Sequence, residues 1–336
     1  MNGHDIVEVD RIAAAQNHRH GKPSVPAGSE HSLVSAQESF DGEAEPTEAI
    51  AVVGIGPRNV HHELGAGLVQ RGTSASCRST VVPISSAAWV GAVTGTTPAH
   101  HGVYDFFAPL PDSYAVELVS ARSNQAPPLW RILGWHGLES IVFGVPITWP
   151  PETIDGVMVA GMLSPFDATY AHPPEYTDVL RARGFVPDLG IWRESQELTP
   201  ERMTSQLEIK RDALTELLGE RDWDFAMVVF KCLDVLSHRA YDGRVQGPVA
   251  QWCTELDRAL GLLLAAAGPD VNVIVLSDHG FHAYPSAFYP YEWLLERGYA
   301  VARAAAPPEA PPEAIGGPLA TARAEEQLLR VSALDL

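Results

Sequence analysis

Only three cysteines, Cys77, Cys232 and Cys253, occur in the 336 residues. An odd number at wide spacing provides neither a disulfide framework nor a zinc–thiolate site. A reducing compartment, the cytoplasm, is therefore expected. No run of about 18 apolar residues is present, so no transmembrane helix is expected. The first residues, MNGHDIVEVD, lack the basic and apolar regions of a secretory signal. Basic charge is scarce too: 23 Lys and Arg stand against 42 Asp and Glu, a net charge of -19. Such a surface repels polyphosphate backbones and anionic bilayers, which argues against nucleic acid or membrane as the main partner. A small anionic substrate stays compatible, because a bound metal ion reverses the local field.

Several stock motifs are also missing. There is no GxSxG nucleophile elbow. GIGPRN (Gly54–Asn59) begins like a dinucleotide loop, but Asn59 takes the third glycine position and Pro57 sits inside the turn. HHELG (His61–Gly65) has no second histidine four residues after the first, so it is not a zincin helix.

What is present is enough chain, 46% hydrophobic, to bury a large core. Residues 1–47, rich in His, Ser, Glu, Gly and Pro, read as a disordered tail with at best a short helix near Asp10–Gln16. The His18–His20 cluster within it reads as solvated. Order is expected from Glu48, where AIAVVGI is the continuous apolar run of a strand covered on both faces. FAMVVF (Phe225–Phe230) and VNVIVL (Val271–Leu276) are similar runs, and between them Trp252, Leu256, Leu260 and Leu263 recur at helical spacing. Strand, helix, strand predicts parallel pairing with right-handed crossovers, hence an α/β fold. SIVFGVP (Ser140–Pro146) predicts a further strand, Thr199–Leu218 an amphipathic helix, and Ala304–Pro318 a loop or linker.

Metal-type residues cluster at the carboxyl ends of these strands. After Phe230 comes KCLDVLSH, with Asp234 and His238 four apart, on one face of a helical turn where they can chelate one ion. After Leu276 comes SDHGF, placing Asp278 and His279 at the sheet edge where open α/β sheets bind ligands. Either pair alone has an ordinary structural explanation; two pairs at two strand ends are harder to dismiss. A third segment, Val81–Phe106, runs from a strand-like VVP through Ser85 into a helix-compatible stretch ending at Thr94 and a glycine. Ser85, or its neighbour Ser86, is expected at or near the helix N-cap, where backbone N–H groups and the macrodipole suit a phosphate.

PISSAAW, the TG after it, HGVYDF, GVPITWPPETIDGVMVAGMLSP, DVLSH, SDHGF and YEWLLERGYA follow one another between about Thr80 and Ala300. In that order they resemble the type I phosphodiesterase/nucleotide pyrophosphatase family of the alkaline phosphatase superfamily. The resemblance implies a mainly parallel sheet flanked by helices over residues 48–336, with 107–222 an inserted cap segment that selects substrate. Trp130, Trp149 and Tyr170 of that segment stack on a base, line an apolar pocket, or are packed core. The resemblance also implies metal-dependent hydrolysis of a small phosphorylated substrate. Ser85 is then the nucleophile, Asp234 and His238 bind one ion, and Asp278 and His279, with Ser85, bind the second. The ions are expected to be Zn²⁺, with Mn²⁺ the alternative.

The departures are specific. Gly56 stands where the family has a ligand Asp after the first strand, and the connection from there to Ser85 is shorter than the family's. No histidine follows His282, whereas the family supplies a further ligand His after SDHG. Ala88 replaces the Asn that touches phosphate three positions after the nucleophile. A catalytically inactive or truncated homologue that binds phosphate or nucleotide ligands is the alternative these departures raise.

Overall fold

A computed structural model describes residues 49–54, 77–112, 115–188, 199–242, 244–281 and 288–301, with isolated positions between 68 and 75. The tail 1–47, the His18–His20 cluster, GIGPRN beyond Gly54, HHELG, His282 and the Ala304–Pro318 stretch lie outside them.

The central sheet has six strands: β1 (Ala49–Gly54), β4 (Ser140–Val145), β5 (Gly156–Ala160), β6 (Ala171–His172), β7 (Phe225–Phe230) and β8 (Asn272–Leu276). Their spatial order is β6-β5-β4-β7-β1-β8, and every pairing is parallel except β5 with the edge strand β6. The remaining strands, β2 (Phe107–Pro109) and β3 (Val116–Leu118), form a small antiparallel ribbon. The mainly parallel α/β fold expected from the apolar runs is the fold observed.

Parallel strands need crossovers, and the helices supply covers for both faces. Alternation in β7 divides the core. Ala226, Val228 and Phe230 join one apolar cluster, while Phe225, Met227 and Val229 join the other. Helix α5 (Pro200–Glu220) and helix α7 (Gly247–Ala267) cover the first face with Leu207, Leu214, Leu217, Leu256, Leu260 and Leu263. Thr199 caps α5, its hydroxyl accepting from the Arg202 N–H, and Pro200 follows at the first turn. Trp89 and Val93 of α1 (Ser85–Thr94) cover the second face.

Short elements complete the frame: α2 (Pro98–His101), α3 (Leu129–Trp135), α4 (Glu175–Ala182), α6 (Cys232–Ala240) and α8 (Pro290–Glu296). One local expectation is corrected: VVP is not a strand, since Val81 and Val82 are exposed and unpaired in any sheet. Ser85 lies next to the N-cap of α1, as expected: Ile84 holds the cap position itself, and Ser85 is the first helical residue. The segment 107–222 contributes β4, β5 and β6 to the sheet and α5 to its face. Trp130 and Tyr170 are buried in the two core clusters, and the partly buried Trp149 donates its indole N–H to the Thr169 carbonyl.

Candidate active site

The carboxyl edge of the sheet gathers the singled-out residues because three neighbouring strands, β7, β1 and β8, end there in parallel. β7 ends at Phe230 and the chain turns directly into α6, which carries Asp234 in its first turn and His238 in its last. The four-residue spacing does what helical geometry requires: His238 Nε2 lies 3.4 Å from Asp234 Oδ1. The Asp234 carboxylate, by hydrogen bonding and by charge, holds the His238 pKa above its usual value against the opposing pull of burial. β8 ends at Leu276, and Asp278 and His279 follow at once, with Asp278 Oδ2 3.5 Å from His279 Nε2.

Ser85 reaches this edge from the opposite side, at the start of α1. Its Oγ is 2.9 Å from His279 Nε2. His279 Nδ1 lies 3.0 Å from the Gly280 carbonyl, which only accepts, so the ring proton belongs on Nδ1 and Nε2 accepts from the Ser85 hydroxyl. Ser85 is 6% exposed and Asp278 5% exposed, while His279 is half-buried and its contact with Gly280 faces solvent. Burial pushes the Asp278 carboxyl up to about 6; the neighbouring His279 imidazole and the Ser85 hydroxyl oppose the shift, and Asp234 reinforces it.

Two side chains that local sequence pattern did not single out hold the loop after β8. The Ser79 hydroxyl donates to the Asp278 carbonyl. Phe281 sits between the two histidines, its ring centroid 4.9 Å from that of His238 and 5.7 Å from that of His279. The phenylalanine of SDHGF was therefore the available signal. All five singled-out residues thus share one edge: Ser85, Asp278 and His279 in direct contact, Asp234 and His238 beside them across Phe281. The turn after β1, with Gly56, lies outside the described residues, but β1 itself runs between the strands that carry the two pairs.

The donor set suits a divalent ion in kind, though not in number. Both Asp278 oxygens are buried without a partner in hydrogen-bond geometry, an arrangement that suits a cation. Asp and His side chains with a serine hydroxyl are the donors Zn²⁺ or Mn²⁺ takes. Among the described residues no three His, Cys, Asp or Glu side chains converge on one point, so each pair falls short of a complete ligand shell.

The fold and this edge define the class first: an alkaline-phosphatase-like α/β protein. Phosphonoacetate hydrolase from Sinorhizobium meliloti 1021, solved with phosphonoacetate, superposes with a TM-score of 0.56 at 18% identity over 75% of this chain and 62% of that one. The same enzyme with phosphonoformate gives 0.54 and 19% over the same shares, 75% and 62%. Murine ectonucleotide pyrophosphatase/phosphodiesterase 5 gives 0.44 and 16%, covering 69% and 57%. This chain thus spans about three-fifths of the length of those solved proteins. No curated protein matches. The profile of the type I phosphodiesterase/nucleotide pyrophosphatase family matches residues 63–332, and the chain belongs to that family.

Proposed function

We propose that the protein hydrolyses a small phosphorylated substrate, a phosphodiester, pyrophosphate or phosphomonoester, with Ser85 as nucleophile and a divalent metal, Zn²⁺ before Mn²⁺, as cofactor. The observation that carries this reading is the part-buried contact of Ser85 Oγ with His279 Nε2, next to a buried carboxylate whose oxygens have no hydrogen-bond partner. Asp234 and His238 would hold one ion; Asp278 and His279, with Ser85, would hold a second. When bound, such ions lower the pKa of a ligated hydroxyl or water and neutralise charge on the transferring phosphoryl group.

The chain's own residues do the rest. Ser85 projects from the first turn of α1, where the positive end of the helix macrodipole favours an incoming phosphoryl group. In the described geometry the Ser85 hydroxyl is hydrogen-bonded to His279 Nε2, and the Gly280 carbonyl fixes the imidazole so that Nε2 is the nitrogen free to hold an ion. With an ion there, the Ser85 proton would leave to water, the ion having lowered the pKa of the hydroxyl. Attack forms the Ser85 Oγ–P bond and breaks the bond from phosphorus to the leaving oxygen. Water then attacks the phosphoserine, or nucleotidyl-serine, and Oγ departs. Asp234 lies in the first turn of α6, directly after β7, and Asp278 lies two residues past the end of β8 in a loop held by the Ser79 hydroxyl. Ala88 has no polar atom to offer the phosphate, so less orientation is expected from that position of α1.

The test is turnover of bis-p-nitrophenyl phosphate with added Zn²⁺ or Mn²⁺. Wild type should turn over, and Ser85→Ala should lose at least about a thousandfold, since a covalent nucleophile has no substitute in the site. Asp278→Asn should lose activity as well and bind Zn²⁺ more weakly by at least about tenfold, a ligand being removed. Gly56, in place of the family's ligand Asp, favours a second reading, a protein that binds phosphate or nucleotide ligands without turning them over. That reading predicts ligand binding with no hydrolysis in either metal.

A further inference from the structure

The sequence contains three lysines, Lys22, Lys210 and Lys231, and two of them line one cavity. The cavity opens to solvent and lies between α5 and the carboxyl ends of β4 and β7. Its wall is largely apolar, with Met162, Phe185, Met203, Leu207 and Phe230 among the lining residues. Apart from histidines, the other basic side chains are arginines, which stay charged in any setting, whereas lysine tolerates a desolvated one.

The two ammonium groups are placed differently. Lys231 forms an ion pair with Asp188, which also accepts from the Leu163 N–H. Lys210 forms no ion pair among the described residues. It donates to the Val229 carbonyl and lies over two aromatic faces, its Nζ 5.0 Å from the centroid of Phe143 and 5.2 Å from that of Phe230. The backbone is shaped to admit it. Gly144 has φ +74°, and a Cβ there would collide with the Lys210 Nζ. The lining also holds the Cys232 thiol and the Gln206 amide, and the amide is already used: Oε1 accepts from the Val186 N–H and Nε2 donates to the Gly184 carbonyl.

We propose that this cavity is a binding site for a monocarboxylate with a short alkyl body, its carboxylate paired with Lys210 and its chain laid against the apolar wall. One uncompensated cation matches one negative charge. The scarcity of free donors disfavours a phosphate dianion, which needs several. Burial already draws Lys210 down to about 7, so a bound carboxylate would restore the charged form that the empty pocket disfavours. None of Ser85, Asp234, His238, Asp278 and His279 lines the cavity, although Cys232 and Val235 of α6 do, and its test does not depend on hydrolysis.

The experiment is calorimetric titration of the full chain with hexanoate, with 1-hexanol and inorganic phosphate as companion ligands. Saturable hexanoate binding is expected, at least tenfold weaker in Lys210→Met, with hexanol at least tenfold weaker in wild type and phosphate not competing. A second readout uses wild type alone: hexanoate should reduce acetylation of Lys210 by a succinimidyl ester, read by peptide mass spectrometry with Lys22 as the internal reference. No saturable hexanoate binding at millimolar concentration overturns the proposal. So do equal affinity in Lys210→Met, equal affinity for hexanol, displacement by phosphate, or undiminished labelling of Lys210.

Discussion

Ser85 marks both the reach and the limit of local pattern at a single position. Its place ahead of a helix-compatible run was legible, as was the Asp–His spacing at 234 and 238, because helical periodicity fixes which residues share a face. That it would be the first helical residue rather than the cap was not, since Ile84 fills the cap without a side-chain acceptor and no sequence rule anticipates that. Its contact with His279 spans 194 positions, and local pattern carries no information at that separation. Other residues lend themselves to direct tests. Gly156 has φ +119°, and a Cβ there would collide with the Ser140 carbonyl of the neighbouring strand. Gly156→Ala should therefore cost more than about 2 kcal/mol in urea denaturation, backbone strain and steric conflict acting together. His101 is fully buried in the HHGVYDF segment, and its Nδ1 accepts from the Val103 N–H at 3.2 Å, so the ring is neutral with its proton on Nε2. Burial lowers its pKa below 6.5. The unfolded chain then takes up the proton at higher pH than the folded one. Stability from this residue is complete above about 6.5 and is lost as the pH falls towards the folded pKa. Urea midpoints at about pH 7.5 and 5.5 should diverge less in His101→Asn, which keeps an acceptor but cannot titrate.

Among the elements, the long ones were the readable ones. The expected helix over 199–218 is observed as Pro200–Glu220, with Thr199 as its cap, because the capping threonine, the proline and the apolar spacing all agree. β7 and β4 were likewise evident as apolar, β-branched runs. β5, GVMVA, sits inside a segment read as an insert, and β6 has only two residues, too few to carry a pattern. VVP has strand composition but remains exposed, a reminder that strand propensity reflects fitting a half-buried surface rather than a backbone preference. The packing of α5 on β4 and β7 gives a measurable consequence. Leu214 is 0% exposed, and Leu214→Ala should destabilise by about 2–5 kcal/mol through lost burial and the residual cavity. Thr199→Ala should cost about 1 kcal/mol at the same helix, the orphaned Arg202 N–H turning to water. Equal effects of the two substitutions would contradict this assignment of core and cap.

For the molecule as a whole, the sheet order β6-β5-β4-β7-β1-β8 could not be read from the chain, because parallel neighbours are separated by crossovers of differing length. That order nonetheless decides the site: it sets β1 between β7 and β8 and brings the two Asp–His pairs to one edge. The formal charge of -19 acts at the same scale. Like charges on a compact surface repel, and salt screens them, so the melting temperature should rise as ionic strength goes from about 0.01 M to about 0.15 M. A fall over that range would show that attractive ion pairs, such as Arg183 with Glu216, outweigh the net repulsion. No helix among the described residues is long and apolar enough to cross a membrane. The central claim, that Ser85 is the nucleophile of a metal-dependent phosphoester hydrolase, is tested most directly by trapping the covalent enzyme. Wild type and Ser85→Ala would be mixed with bis-p-nitrophenyl phosphate and Zn²⁺, quenched in acid, and digested for peptide mass spectrometry. A p-nitrophenylphosphoryl adduct on the Ser85 peptide of wild type, formed as one p-nitrophenolate leaves and absent from the variant, is the predicted result; hydrolysis with no adduct at Ser85, or no reaction with Zn²⁺ or Mn²⁺, would contradict it.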